Sequence, residues 1–402
     1  MKLKSGHLTY CTNIHPGKNW AEDFAALREN FPEIKKAVAP GEALGLGLRL
    51  SNEASLTLTE PGQLEIFKDW LAENNAYVYT MNGFPYGEFH RRVVKDDVHA
   101  PDWTTHERRE YTLRLFGILE SLLPEGMDGG ISTSPLSYRH WHQNTEAAAE
   151  ARKLSTQHII EVIAALADTY ERSGKLMHLD IEPEPDGVLE TGREFIDWFE
   201  HDLLPAGIPY LQHNLDITAE EADAIIRRHL CLCYDVCHFA IGYEDHEAVL
   251  RELAEKKIAV GKIQISAALK ARLDRSVSEK QLLKTAIEAF NEPTYLHQVV
   301  ARLENGELIR YKDLPDALAD FDDTKAVEWR AHFHVPISTL EIDLIHTTQN
   351  DIKTVLNWQK SHPFTQHLEV ETYTWEVLPE QIKTPIAQSI SNELKWVINE
   401  LS

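Results

Sequence analysis

Short apolar runs alternate with longer amphipathic stretches along most of the chain. Eight runs read as strands: His7–Asn13, Leu44–Ser51, Ala76–Asn82, Gly130–Ser134, Leu176–Glu182, Leu230–Val236, Ile258–Ser266 and His367–Thr374. They are rich in β-branched, aromatic or small residues, and several end in polar ones. The stretches between them carry helical periodicity. Thr156–Arg172 places Ile159, Ile160, Ile163, Ala164, Leu166 and Ala167 on one face. Arg193–Leu204 and His246–Glu255 are similar, Asp69-Trp70-Leu71-Ala72 closes another, and Thr218-x-x-Glu221 opens Thr218–His229 as a capping box. Strand–helix alternation implies a parallel sheet. Eight strands predict an α/β chain folded as a (β/α)8 TIM barrel. A doubly wound open sheet is the alternative, but no G-x-G-x-x-G follows a strand. The glycine-rich Gly41–Gly47 lacks that spacing and reads as tight entry into a strand.

Two stretches exceed ordinary loops and read as long βα-loop insertions. Phe84–Tyr111, with Pro85-Tyr86-Gly87 and Trp103, is expected to lie as a lid over one end. Ala267–Arg330 holds a helix and then a hairpin signalled by Asn305-Gly306 between alternating runs. Neither carries enough apolar periodicity for a core of its own, so residues 1–402 read as a single domain. Trp329–Pro336 also reads as a strand, a ninth candidate for eight barrel positions. Either it pairs with the inserted hairpin, or it belongs in the barrel and another candidate does not.

Composition narrows the partners. The 402 residues are 43% hydrophobic and 26% charged, ordinary globular values. Lys and Arg number 40 against 64 Asp and Glu, a formal charge of −24 that repels nucleic-acid phosphates and anionic headgroups. No apolar run approaches the ~18 residues of a membrane span, and no apolar stretch follows Met1–His7 to make a secretory signal. Four cysteines, three of them within Cys231–Cys237, suit reduced thiols in a cytoplasmic protein.

Candidate chemistry lies where barrel strands end, since active groups project from their C-terminal ends. A period of two puts His178, Asp180 and Glu182 on one face, with Met177, Leu179 and Ile181 on the other. Asp235 ends the next strand and His238 follows in a D-x-x-H spacing. The C-x-C-x₃-C of Cys231, Cys233 and Cys237 is not a standard zinc-ribbon spacing and reads as buried packing. Lys262, Gln264 and Ser266 share a face; Gln264 is either an oxygen donor to a metal or substrate, or a strand-end cap. Glu369 and Glu371 share the last strand's face, with Trp375 nearby. Closing the barrel brings Glu182, Asp235, Gln264 and Glu371 to one rim. An all-oxygen set fits Mg²⁺ or Mn²⁺, and added imidazoles from His238, His332 or His334 shift the preference toward Zn²⁺, Fe²⁺ or Co²⁺. The alternative is a set of internal salt bridges to Lys262 or Arg49.

A Glu ending one strand, an Asp-x-x-His on the next, a polar residue on the third and a Glu on the last resemble the xylose-isomerase-like TIM barrels. That superfamily holds sugar isomerases, ketose epimerases and apurinic endonucleases. Leu8–Gly17, His178–Pro185, Leu232–His238 and His332–Pro336 further resemble EboE-type metabolite-traffic proteins, a likeness spanning nearly the whole chain. The resemblance implies Glu182, Asp235, Gln264 and Glu371 as ligands of a divalent metal (Mn, Mg, Zn or Co). Gln264 stands where many epimerases have a metal-binding His, and a His of His332-Phe333-His334 is the substitute on offer. It further implies products of the same operon as partners.

Three function classes follow. The first is a metal-dependent isomerase or epimerase of a small polar metabolite, with Glu182 and Glu371 as acid and base. The second is a metal-assisted hydrolase or lyase using His238. The third is a non-catalytic protein that holds a metabolite in the barrel mouth. Substrate contacts are expected from His15, Asp180, Lys262, His332, His334 and Trp375.

Overall fold

The expected strands all form in the computed structural model, which describes residues 1–402. A two-residue strand β1 (Lys2–Leu3) folds back on β2 (Gly6–Tyr10). There follow β3 (Leu44–Arg49), β4 (Ala76–Asn82), β5 (Gly129–Thr133), β6 (Met177–Ile181), β7 (Leu230–Asp235) and β8 (Val260–Ile265). After an insertion built from β9 (Ala267–Arg272), β10 (Val299–Leu303), β11 (Leu308–Tyr311), β12 (Ala326–Val335), β13 (Glu341–Ile342) and β14 (Ile345–Thr347), the last barrel strand is β15 (His367–Val370). The parallel order β2-β15-β8-β7-β6-β5-β4-β3 closes through a parallel bridge between Cys11 and Gly47. The chain is a (β/α)8 barrel with two long βα-loop insertions.

Alternation explains why these strands close. Leu179 and Ile181 on β6, Leu232 on β7, Ile263 and Ile265 on β8 and Leu368 on β15 are fully buried in the shared apolar core. Each such side chain stabilises the fold by about 1.5–3 kcal/mol relative to exposure. The helix Ala219–His229 starts at the expected capping box, with Thr218 and Glu221 bonding reciprocally. The opposite strand face fills the barrel interior with polar groups rather than the usual branched aliphatics. Lys262 pairs with Glu369 at 2.6 Å, both fully buried. Gly47 makes room for them, because a Cβ there would collide with the Glu369 carboxylate.

The ninth candidate strand resolves in favour of the insertion. β12 pairs antiparallel with both β9 and β10, in a six-stranded sheet ordered β11-β10-β12-β9-β14-β13. The insertion therefore runs through Thr347 rather than ending at Arg330, since strands on both sides of β12 satisfy its backbone. Asn305-Gly306 does turn the β10–β11 hairpin, with Gly306 at φ +87°. The other insertion is shorter than Phe84–Tyr111, because Thr105 caps a helix from His106 to Leu122. The two insertions clasp each other over the barrel's C-terminal end. Val94 N–H donates to Thr294 O at 2.7 Å, Tyr295 and His90 share a hydrogen bond at 2.7 Å, and Lys95 pairs with Asp313 at 2.6 Å. No helix is long and apolar enough to cross a membrane.

Candidate metal centre

The barrel's C-terminal end opens into a space of about 590 Å³, including its open mouth. Its floor holds Glu182, His238 and Glu371 from strand ends, and its wall holds His332 and His334 from β12. β12 delivers both imidazoles because alternate residues of a strand share a face.

Each of these three histidines is turned the same way. His238 Nδ1 lies 3.0 Å from Pro183 O, His332 Nδ1 2.9 Å from Gln298 Oε1, and His334 Nδ1 3.2 Å from Glu371 O. A carbonyl oxygen accepts only from N–H, so each Nδ1 carries the proton and each Nε2 is a bare lone pair. The Nε2 atoms of His238 and His332 stand 3.2 Å apart. His334 Nε2 is buried without a partner. Asp235 repeats the pattern with a carboxylate. Its Oδ1 accepts from Cys237 N–H at 2.8 Å, His238 N–H at 3.3 Å and Ser266 Oγ at 2.5 Å, while Oδ2 has no partner. That bare Oδ2 is 3.8 Å from His238 Nε2. One donor atom each from Asp235, His238 and His334 fits within 4.8 Å, and so does the set Glu184, His238 and His332.

Burial keeps a second proton off two of these rings. Burial, then the neighbouring His238 and His334, holds His332 well below the usual histidine range. Burial lowers His334 to about 4. A divalent cation is the species that several neutral imidazoles and a bare carboxylate oxygen accept together. The residues present therefore fit a metal.

Two glutamates flank this cluster. Glu371 Oε1 accepts from Asn13 Nδ2 at 2.7 Å and Asn82 Nδ2 at 2.9 Å, and its Oε2 accepts from Gln264 Nε2. Glu182 Oε2 is buried without a partner. Burial raises both carboxyls well above the usual range; the Glu371 and Asp235 charges add to it at Glu182, and those of Asp235 and Glu369 at Glu371.

No family model matches the chain, and no curated protein matches it in sequence. Solved structures do match. A xylose isomerase-like TIM barrel protein from Mycobacterium smegmatis, in complex with magnesium, aligns at a TM-score of 0.50 and 9% identity, over 100% of this chain and 98% of that one. The chain shares the TIM-barrel fold of that protein. IolI with a bound zinc atom aligns at 0.49 and 13% identity over 98% of both chains. The probable 3-DHS dehydratase AsbF from Bacillus anthracis aligns at 0.46 and 9% identity, over 98% of this chain and 99% of that one.

In this barrel the residues singled out from sequence separate into levels. Glu182, Asp235, His238, Gln264, His332, His334 and Glu371 gather at the mouth. Gln264 has both ends engaged, its Oε1 accepting from Cys233 Sγ at 3.0 Å and its amide donating to Glu371. Lys262 lies one level down on Glu369. Asp180 lies deeper still, 2.5 Å from His178 Nδ1. His15 lies off the cavity, 3.2 Å from Tyr10 OH. Trp375 is turned outward, its Nε1 donating to Thr384 O at 2.9 Å. All four cysteines are unpaired and buried, and burial raises the Cys237 thiol, which argues against a thiolate ligand. Sequence reasoning missed Asn13, Asn82 and Gln298, which orient the site, and Glu184, which pairs with His99 at 2.8 Å. The amides carry no local signal. Glu184 does, sitting between two prolines just past a strand end.

Proposed function

We propose that the protein is a divalent-metal-dependent isomerase or epimerase of a small polar metabolite. The carrying observation is the set of bare Nε2 and Oδ2 atoms converging from His238, His332, His334 and Asp235. Asp235, His238 and His334 would hold the metal, with His332 and Glu184 beside them. His334 thus takes the place that Gln264 occupies in the resemblance to epimerases. An imidazole-rich set favours Zn²⁺, Co²⁺ or Mn²⁺ over Mg²⁺. When bound, the ion supplies Lewis acidity toward a substrate carbonyl.

The chain's own residues supply the proton traffic. Asn13, Asn82 and Gln264 orient Glu371, and their three hydrogen bonds favour its charged form relative to Glu182, whose Oε2 has none, so Glu371 is assigned as the base. Glu182, pushed up by burial and two neighbouring carboxylates, keeps a proton at its bare Oε2 and serves as acid. Two carboxyls in one site with unequal partners divide these roles. The aromatic rings of Phe84, Phe89, Tyr295 and Tyr373 at the mouth exclude water from the reacting atoms. The likeness of four segments to EboE-type proteins supports a metabolite as substrate.

The experiment screens small sugars, polyols and keto acids in D₂O with Zn²⁺-, Co²⁺- or Mn²⁺-loaded protein. Wild type is expected to incorporate deuterium at the carbon next to the carbonyl, and Glu371→Gln is not. Asp235→Asn and His334→Gln are expected to lose the mouth metal, whereas Glu182→Gln keeps it. Tight metabolite binding without exchange in any compound would overturn catalysis in favour of a metabolite-holding protein.

A further inference from the structure

The opposite end of the barrel carries a second set of groups that the mouth does not use. Asp128 stands just before β5, His178 lies on the neighbouring β6 and His367 opens β15 across the barrel, so the three meet at the floor. We propose that this floor binds a second divalent cation of the zinc class on Asp128, His178 and His367, as a structural tie across the barrel.

Four observations lead there. First, one donor atom from each residue fits within 4.8 Å of the others. His178 Nε2 is 3.6 Å from Asp128 Oδ2, and His367 Nε2 is 3.5 Å from Asp128 Oδ1. These spacings are long for hydrogen bonds. They run to the two oxygens of one carboxylate, so an ion between both imidazoles would face the whole Asp128 carboxylate.

Second, His178 is oriented as a ligand. Its Nδ1 lies 2.5 Å from Asp180 Oδ1, which places a proton on Nδ1 and turns Nε2 toward Asp128. A carboxylate behind a histidine is the usual support of a metal ligand. Gly261 lies where the β7–β8 register slips, and a Cβ there would collide with Asp180.

Third, His367 is fully buried and neither ring nitrogen has a hydrogen-bond partner. With the ring proton on Nδ1, His367 Nε2 is a lone pair facing Asp128 that no group of the chain engages. A proton shared among His178, Asp180 and Asp128 explains His178 but leaves His367 unexplained. A cation bound at Nε2 uses the otherwise idle lone pair.

Fourth, the Asp128 side chain is 35% exposed while both imidazoles are buried. The floor is therefore open to an ion from solvent on the Asp128 side.

The test counts metal by elemental analysis on the full-length chain loaded with Zn²⁺ alone and desalted. Wild type is expected to hold two molar equivalents. Asp128→Asn and His367→Gln are each expected to hold one and to keep deuterium exchange at the mouth. Asp235→Asn is expected to hold one, and its Co²⁺ form to show the intense visible bands of a tetrahedral ion. Asp180→Asn should weaken the floor site by about 10–100-fold. In Asp235→Asn, Zn²⁺ should raise the unfolding temperature, and adding Asp128→Asn should remove that rise. Asp128 is half-buried and outside the strand, so its variant folds even if His367→Gln does not. If the mouth alone fails to bind, wild type holds one equivalent that survives Asp235→Asn and is lost with Asp128→Asn. Equal metal content in wild type and Asp128→Asn, with no Zn²⁺-dependent stabilisation of Asp235→Asn, would overturn the floor site in favour of a proton-bridged network.

Discussion

The middle of the barrel and its mouth are equally buried, yet they handle charge in opposite ways. In the middle, Lys262 and Glu369 neutralise each other at 2.6 Å. Burial alone would lower the lysine, but Glu369 holds it above its usual range. That level carries its own counter-charge. At the mouth, His238, His332 and His334 direct lone pairs at one another and at Asp235, and the nearest charged neighbours are further carboxylates. Burial is tolerable in the first case through pairing and in the second through a species the chain does not supply. The difference marks the middle level as architecture and the mouth as a site.

Breaking the mouth should have the largest effect. Glu371→Gln is expected to lower deuterium exchange by about 10²–10⁴-fold, because a positioned base is lost. Metal content, read by elemental analysis, should stay stoichiometric. Breaking the middle should instead cost stability. Lys262→Met leaves Glu369 buried without its partner, a loss of about 3–5 kcal/mol in denaturant unfolding. The double variant Lys262→Met/Glu369→Gln should recover much of it. If the double variant is no better than the single one, the pair is not what makes the middle tolerable.

A third kind of buried carboxyl sharpens the contrast. Glu393 accepts from Ile337 N–H at 3.0 Å and Thr372 Oγ1 at 2.7 Å, with no cation beside it. Burial raises its pKa from 4.5 to about 7. The folded protein therefore binds this proton more tightly than the unfolded chain. Its contribution to stability is full below pH of about 4.5, declines as pH rises to about 7, and is flat above. Glu393→Gln should flatten that segment of the stability profile and add about 2 kcal/mol at pH 8, measured by urea unfolding. The smallest effect belongs to the surface. Thr218→Ala removes one half of the capping box and should cost about 1 kcal/mol, with metal content and exchange unchanged.

Period-two alternation made much of this visible in the chain. His367, Glu369 and Glu371 recur every second residue, and so do His178, Asp180 and Glu182, which puts each set inside a barrel once strands are parallel. The helices Trp20–Val38 and Ile386–Leu401 follow the same logic at period 3.6, the first with Asn19 as its cap and Phe24, Leu27, Phe31 and Ile34 on its buried face. Trp375 and His15 looked like mouth residues because they follow strand ends, but local turns carry both away from it.

The sequence by itself determined the strand–helix order, the inward polar faces and the carboxylates on the rim, because those depend on short-range periodicity and on where strands end. Only the tertiary structure decided the mouth's donor set. His332 and His334 lie about a hundred residues beyond Asp235 in the chain, on a strand whose destination depends on its antiparallel pairing with β9 and β10. No local pattern encodes that pairing, and without it His332 and His334 do not reach His238 and Asp235; closure of the barrel, equally non-local, gathers Asp128, His178 and His367 at the floor.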